Sequence, residues 1–223
     1  MDKQTHHVVI IPGILTEKKA GSLAKKLVVA EGFHVHLFHY PVKEWTIDRA
    51  ALMLAAFVDM EVLKDDPANS VSFIGCGTGS LVERYYLSHY EVLPARRCII
   101  IADPFHPSDK YRGKKIGWLG MKKFGIPLAQ LVQGPAGFPK NCGNPPIPFG
   151  VIVSGTKLTD IKDKSNKKFI NNSIYTNSEL LNVARDVISV PKKCNSAIAS
   201  NSVIKHIVDF LNHGWFEKSE IRN

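Results

Sequence analysis

The chain has 223 residues, a mass of 24.8 kDa and a formal net charge of +9, with 44% hydrophobic and 22% charged residues. That balance excludes a disordered or collagen-like chain, and the length suits one domain with a core on both sides of a sheet. No apolar run is long enough to cross a bilayer, and Cys76, Cys98, Cys142 and Cys194 stand too far apart for a CxxC pair or a zinc cluster.

Residues 7–12 form an apolar run ending at Pro12-Gly13, the pattern of a buried strand stopped by a turn. Thr16 and Glu17, with Leu23, Leu27 and Val28 following at helical spacing, open a helix that ends near Gly32. Residues 33–40 predict a second strand, closed by Pro41. Residues 46–63 predict a helix, because Ile47, Ala50, Ala51, Leu54, Phe57, Val58 and Val62 recur at the helical period. A third strand is expected at 71–74, a helix at 80–90, and a strand covered on both faces at 98–102, where the run is continuously apolar. Strand alternating with helix predicts an α/β structure, a mostly parallel sheet with helices on both faces.

Residues 104–148 are rich in Gly, Pro and Lys and are expected to be an excursion lining or capping a pocket edge, with short helices around 117–124 and 128–133. Residues 149–154 resume as a strand, 173–177 as a short extended piece and 186–190 as a further strand. A closing helix is predicted at 201–213, with Val203, Ile204, Ile207, Val208 and Leu211 on one face. The whole of 1–223 is expected to be a single domain.

The most informative stretch is FIGCGTGSLVERYYL, residues 73–87, a strand that turns on glycines into an amphipathic helix. Gly77 stands at the tip of that turn. Cys76 is the best alternative nucleophile on chemistry, since a thiol at a helix N-terminus has a lowered pKa. It precedes the tip, however, where a side chain faces back into the sheet, so a buried structural cysteine is expected. Thr78 and Ser80 lie on the helix side, where hydroxyls cap or pack. His6, His7, His34, His36 and His39 fall in or beside strands, and His206 and His213 on the closing helix, all positions of packing or surface residues. His106, in Asp103-Pro104-Phe105-His106, follows a strand end on the edge where open α/β sheets bind ligands, and with Asp103 and Cys194 around Gly77 it marks where to look for other chemistry, which is not expected.

In order and spacing, VVIIPGI, FHVHLFHYP, VSFIGCGTGSLVERYYL, GPAGFP, FGVIVSGT and VIKHIVDFLNHGWF resemble the α/β-hydrolase family, and within it the small bacterial lipase and esterase-like members. The resemblance covers nearly the whole chain and implies a serine at the tip of a G-x-S-x-G turn. Here that turn is Gly75-Cys76-Gly77-Thr78-Gly79, with both flanking glycines and no serine. The family's acid corresponds to Asn171 or Asn172, and its base to Cys194 in Val190-Pro191-Lys192-Lys193-Cys194. The resemblance thus implies a hydrolase frame without its triad. Backbone N–H groups of Ile14 or Leu15 and of Thr78, after Pro12-Gly13, are left to form an oxyanion hole. Gly13, Ile14, Leu15, Thr78, His106 and Trp118 are the expected binding residues.

Three readings follow. The first is a catalytically inactive relative with a binding or scaffolding role. The second is a hydrolase of ester or lipid substrates that uses a displaced nucleophile, Cys76 or Ser80. The third is an adaptor for an anionic membrane or partner through Lys110, Arg112, Lys114, Lys115, Lys122 and Lys123, with Trp118, Leu119, Met121 and Phe124 among them. No stacking-aromatic or helix-turn-helix pattern accompanies the lysines, which argues against nucleic acid. No cofactor or metal is expected, and an acyl or lipid-like ligand is the expected small-molecule partner. The start, MDKQTHHVVIIPG, has no basic leader and long apolar run, so a cytoplasmic location, or export without a visible signal, is expected.

Overall fold

A computed structural model of the chain describes residues 6–14, 16–31, 33–64, 70–90, 94–101, 122, 125–127, 129–130, 142–154, 178–190 and 198–217. In chain order these form β1 (His6–Ile11), α1 (Glu17–Glu31), β2 (His34–Leu37), α2 (Ile47–Phe57), which runs on into a π-helical turn (Val58–Val62), β3 (Ser70–Cys76) and α3 (Gly79–His89). Then follow β4 (Ala95–Ile101), β5 (Phe149–Ser154), α4 (Ser178–Val183), β6 (Asp186–Val190) and α5 (Asn201–His213). The six strands form one sheet in the order β2-β1-β3-β4-β5-β6, and every neighbouring pair is parallel.

A parallel sheet hides both faces, and the strand residues divide by their period of two. Val9, Ile11, Phe73, Cys98, Ile100 and Val151 pack with Leu54 of α2 and Leu81 of α3. Val8, Ile10, Ile74, Cys76, Ile99 and Ile152 pack with Leu23 of α1 and Ile207 of α5 on the other side. The doubly covered reading of β4 holds, since residues 98–101 are all fully buried. Each such Leu, Ile or Phe side chain contributes about 1.5–3 kcal/mol.

Where the structure departs from expectation, the reasons are local. The helix foreseen over 46–63 changes pitch after Phe57, and Leu63 N–H reaches back five residues to Val58 O at 2.9 Å. An apolar spacing that suits an α-helix tolerates this wider turn. β2 ends at Leu37, although Phe38 N–H still donates to Ile10 O at 3.0 Å. Helix α4 has six residues, too few to show a period. On α5 the buried face includes Phe210, while Val208 is only partly covered. The predicted piece at 173–177 lies outside the described residues, as do the predicted helices at 117–124 and 128–133 except Lys122 and residues 129–130.

The strand and helix histidines pack or lie on the surface. His7 Nδ1 and His36 Nε2 are 2.8 Å apart, His206 meets Phe216 edge-on, and His213 stacks on Trp215. His6 Nε2 bonds Ser72 Oγ at 2.9 Å and its ring meets Phe33 edge-on. Burial above all, then Arg96, Arg97 and His7, pushes the His6 pKa down to about 4. Because the unfolded chain binds this proton near pH 6.5, the stabilising effect of a neutral His6 is complete above that pH. It is lost as pH falls toward 4. Urea denaturation as a function of pH is expected to show stability declining over that window, with a shallower decline in His6→Gln; an unchanged slope would contradict the assignment.

Candidate functional site

In a parallel sheet ligands bind beyond the C-terminal ends of the strands, where neighbouring strands send their chains to opposite faces. That point lies between β1 and β3. From β1 the chain leaves through Pro12-Gly13-Ile14 into α1 on one face, and from β3 it leaves through Gly77-Thr78 into α3 on the other.

The turn after β3 is held by its backbone. Gly77 N–H donates to Ile101 O at 2.9 Å, which extends the β3–β4 ladder by one residue, and Ser80 N–H donates to Gly77 O at 3.1 Å. Between these bonds Gly77 takes φ +59°, a left-handed conformation. The neighbouring glycines are needed for a different reason, lack of room. A Cβ on Gly75 would stand 2.4 Å from Glu83 Oε2 and 2.5 Å from Ser80 Cα. On Gly79 it would stand 2.2 Å from Ile11 O, and on Gly13 2.5 Å from Cys76 O and from Thr78 N and Oγ1. At Gly77 the nearest atom would be Thr16 Cγ2 at 3.4 Å, an ordinary contact. Among the described residues nothing crowds a Cβ at the tip of the turn, and the tip carries none.

Two threonines lock the two loops together. Thr16, almost fully buried, accepts Gly13 N–H at 2.6 Å through Oγ1 and donates to Gly13 O at 2.9 Å, with Cys76 O at 3.4 Å. Thr78 Oγ1 accepts Ile14 N–H at 2.8 Å. The Ile14 donor foreseen for an oxyanion hole is therefore occupied by a protein hydroxyl. Thr78 occupies the N-cap position of α3 but its hydroxyl makes no capping bond. Tyr40 O–H fixes the same loop by donating to Pro12 O at 2.7 Å. Burial first, then Glu17 and Cys76, raises the Tyr40 pKa, so it remains a donor.

Cys76 is fully buried in the core shared with α1 and α5, as its place before the tip suggested. Ser80 is also fully buried, and its Oγ donates to Gly77 O at 2.6 Å. Beside the turn lies a shallow depression lined by Tyr40, Trp45, Ile47, Ala50, Thr78 and Val82, among others.

Of the residues foreseen, Gly13, Ile14, Gly77 and Thr78 meet at one point. Leu15, Asp103, His106, Trp118, Asn171, Asn172 and Cys194 lie outside the described residues, as do Lys110, Arg112, Lys114, Lys115 and Lys123; Lys122 is exposed on a helical segment. Thr16 and Tyr40 were not foreseen as site residues. Among the described residues no group of three His, Cys, Asp or Glu is placed to hold a metal ion, and no helix is long and apolar enough to cross a membrane.

No protein-family model matches the chain, and no curated protein sequence matches it. Solved structures do. The propeptide form of the lipase BlEst2 from Bacillus licheniformis superposes with a TM-score of 0.69 at 13% identity, over 94% of this chain and 51% of that one. Aspergillus fumigatus lipase B gives 0.57 at 14% identity, over 95% of this chain and 53% of that one. This chain has the α/β-hydrolase fold. Phospholipase PlaB from Legionella pneumophila, in complex with thio-NAD, is a third neighbour, with a TM-score of 0.54 at 16% identity over 73% of this chain and 40% of that one. The chain spans about half the length of these neighbours or less. Within the α/β-hydrolase fold residues 75–79 form the strand-to-helix elbow, and its tip is Gly77.

Proposed function

We propose that this chain is a non-hydrolytic protein of the α/β-hydrolase fold, acting by binding or scaffolding. The observation that carries the reading is the elbow tip, where Gly77, with room for a Cβ among the described residues, supplies no nucleophilic atom. Without a hydroxyl or thiol there, no acyl-enzyme forms at that position. Cys76 is in the core and the Ser80 hydroxyl is bonded to the Gly77 carbonyl, which speaks against either as a substitute. A substrate oxyanion seeking the Ile14 N–H would first have to displace Thr78 Oγ1.

Residue identities beyond the described part agree with this reading. An amide at Asn171 or Asn172 has no negative charge to hold an imidazolium, and Cys194 has no imidazole. The aromatic and aliphatic lining beside the elbow, together with neighbours named as lipases and a phospholipase, supports an acyl or lipid-like ligand. The depression has no internal volume for a water molecule (≈ 0 Å³), far below the roughly 300–1,000 Å³ of small-molecule sites. A ligand therefore enters only if side chains lining the depression move.

A panel of short-chain nitrophenyl esters tests the proposal. Turnover by the protein is expected to equal that of a heat-denatured control, before and after Cys76→Ala or Ser80→Ala. Turnover in the unaltered protein that either substitution abolishes would overturn it.

A further inference from the structure

The opposite edge of the sheet carries a second feature, independent of the elbow. The β3–β4 register pairs Val71 with Ala95 and then Ser72 with Arg97, so Arg96 is an extra residue in a β-bulge. Ala95 and Cys98 both pack toward α2 and α3, which residues three apart on a regular strand cannot do. The bulge thereby turns Arg96 and Arg97 together toward the face of α1 and α5. Both arginines depress the pKa of His6, which packs on that face against Phe33.

A third guanidinium joins them from the start of β6. A Cβ at Gly214 would lie 3.3 Å from Arg97 Nε and 3.5 Å from both Nε and Cζ of Arg185, so two guanidiniums stand against one bare glycine. Arg97 also donates through Nη1 to Leu211 O at the end of α5. Among the described residues none of the three arginines is paired with a carboxylate. Asp186 at the start of β6 is engaged by backbone, its two oxygens accepting the N–H groups of Val187 and Phe216 at 2.8 Å each. Among the described residues, counting Asp186 as −1 and the C-terminal end of α5 as about −0.5, the three guanidiniums leave about +1.5 there. Trp215, 55% exposed, and His213 border it.

Three guanidiniums with no carboxylate partner among the described residues suit an anion with several acceptor oxygens, and planar guanidiniums match phosphate geometry best. We propose that Arg96, Arg97 and Arg185 form a binding site for a phosphoryl anion, supplied by a soluble phosphate ester or by the headgroup of an anionic lipid.

Two probes distinguish the sources: inorganic phosphate in a calorimetric titration, and phosphatidylglycerol vesicles against phosphatidylcholine vesicles in flotation. The Arg96→Gln, Arg185→Gln double variant is compared with Lys18→Gln, Lys19→Gln, which removes the same charge from exposed positions on α1. Binding of at least one probe is expected to weaken about tenfold or more in the arginine variant and less than about twofold in the lysine variant. Phosphate alone then identifies a soluble ester as the source, and vesicles identify the lipid. Equal losses in the two variants, or no binding of either probe to the unaltered protein, would overturn the proposal. If the double variant loses its cooperative melt, Arg185→Gln alone, at an exposed residue, carries the comparison with an expected loss of about threefold.

Discussion

Gly79→Ala is expected to lose about 3 kcal/mol of stability or more, or to fail to fold, while Gly77→Ala, two residues earlier, is expected to lose about 1–2 kcal/mol. The difference is steric. A Cβ at 79 would stand 2.2 Å from Ile11 O and 2.7 Å from both C and O of Pro12, all backbone atoms at the exit of β1. They cannot give way without disturbing the register of β1 with β2 and β3 on either side. Among the described residues a Cβ at 77 meets Thr16 Cγ2 at 3.4 Å and nothing nearer, so the expected penalty is that of the left-handed backbone at φ +59°. Urea denaturation of the two variants measures the gap. Equal losses would mean that the tip is crowded and that Gly77 is a packing requirement, contrary to the reading of an unfilled nucleophile position.

The second large effect lies at Thr16. Thr16→Val conserves shape but deletes the acceptor of Gly13 N–H at 2.6 Å and the donor to Gly13 O at 2.9 Å. A buried amide left without a partner costs about 1–3 kcal/mol, so a loss in that range is expected from the orphaned Gly13 N–H, while Gly13 O keeps the Thr16 N–H at 3.0 Å. Thr16→Ser keeps the oxygen and is expected to lose less than about 1 kcal/mol. Thermal melts of the two variants provide the comparison. If the serine variant were as unstable as the valine variant, the threonine methyl packed near Gly77, and not the hydroxyl, would be what holds the loop.

Much of the fold was legible because its signals are local and strong. The apolar run at 98–101 marked a strand buried on both faces, and the pattern around residues 201–213 matched α5, which starts after Ser200 and is closed by Gly214 at φ 83°. The bulge at Arg96 was not legible, since two arginines before an apolar run look like the approach to a strand. The π-helical turn after Phe57 and the six-residue α4 were missed because neither changes the apolar spacing enough to show.

At the site, the glycines of the elbow could be read because close backbone approach demands small residues at fixed spacing. The threonine latch could not. Thr16 before Glu17 has the look of an ordinary helix start, and Tyr40 before Pro41 that of a strand end. The bond from Ile14 N–H to Thr78 Oγ1 spans 64 positions, so no local pattern announces that the donor is occupied.

If the chain is non-hydrolytic, as proposed, none of its residues forms an acyl-enzyme. Rapid mixing of the purified protein with a nitrophenyl acetate ester, followed by intact-mass measurement, tests it directly for serine and cysteine nucleophiles alike. Unmodified protein and no burst of nitrophenol at the earliest times are expected. A stoichiometric acyl adduct, formed with a matching burst and mapped to one side chain near the elbow, would contradict it.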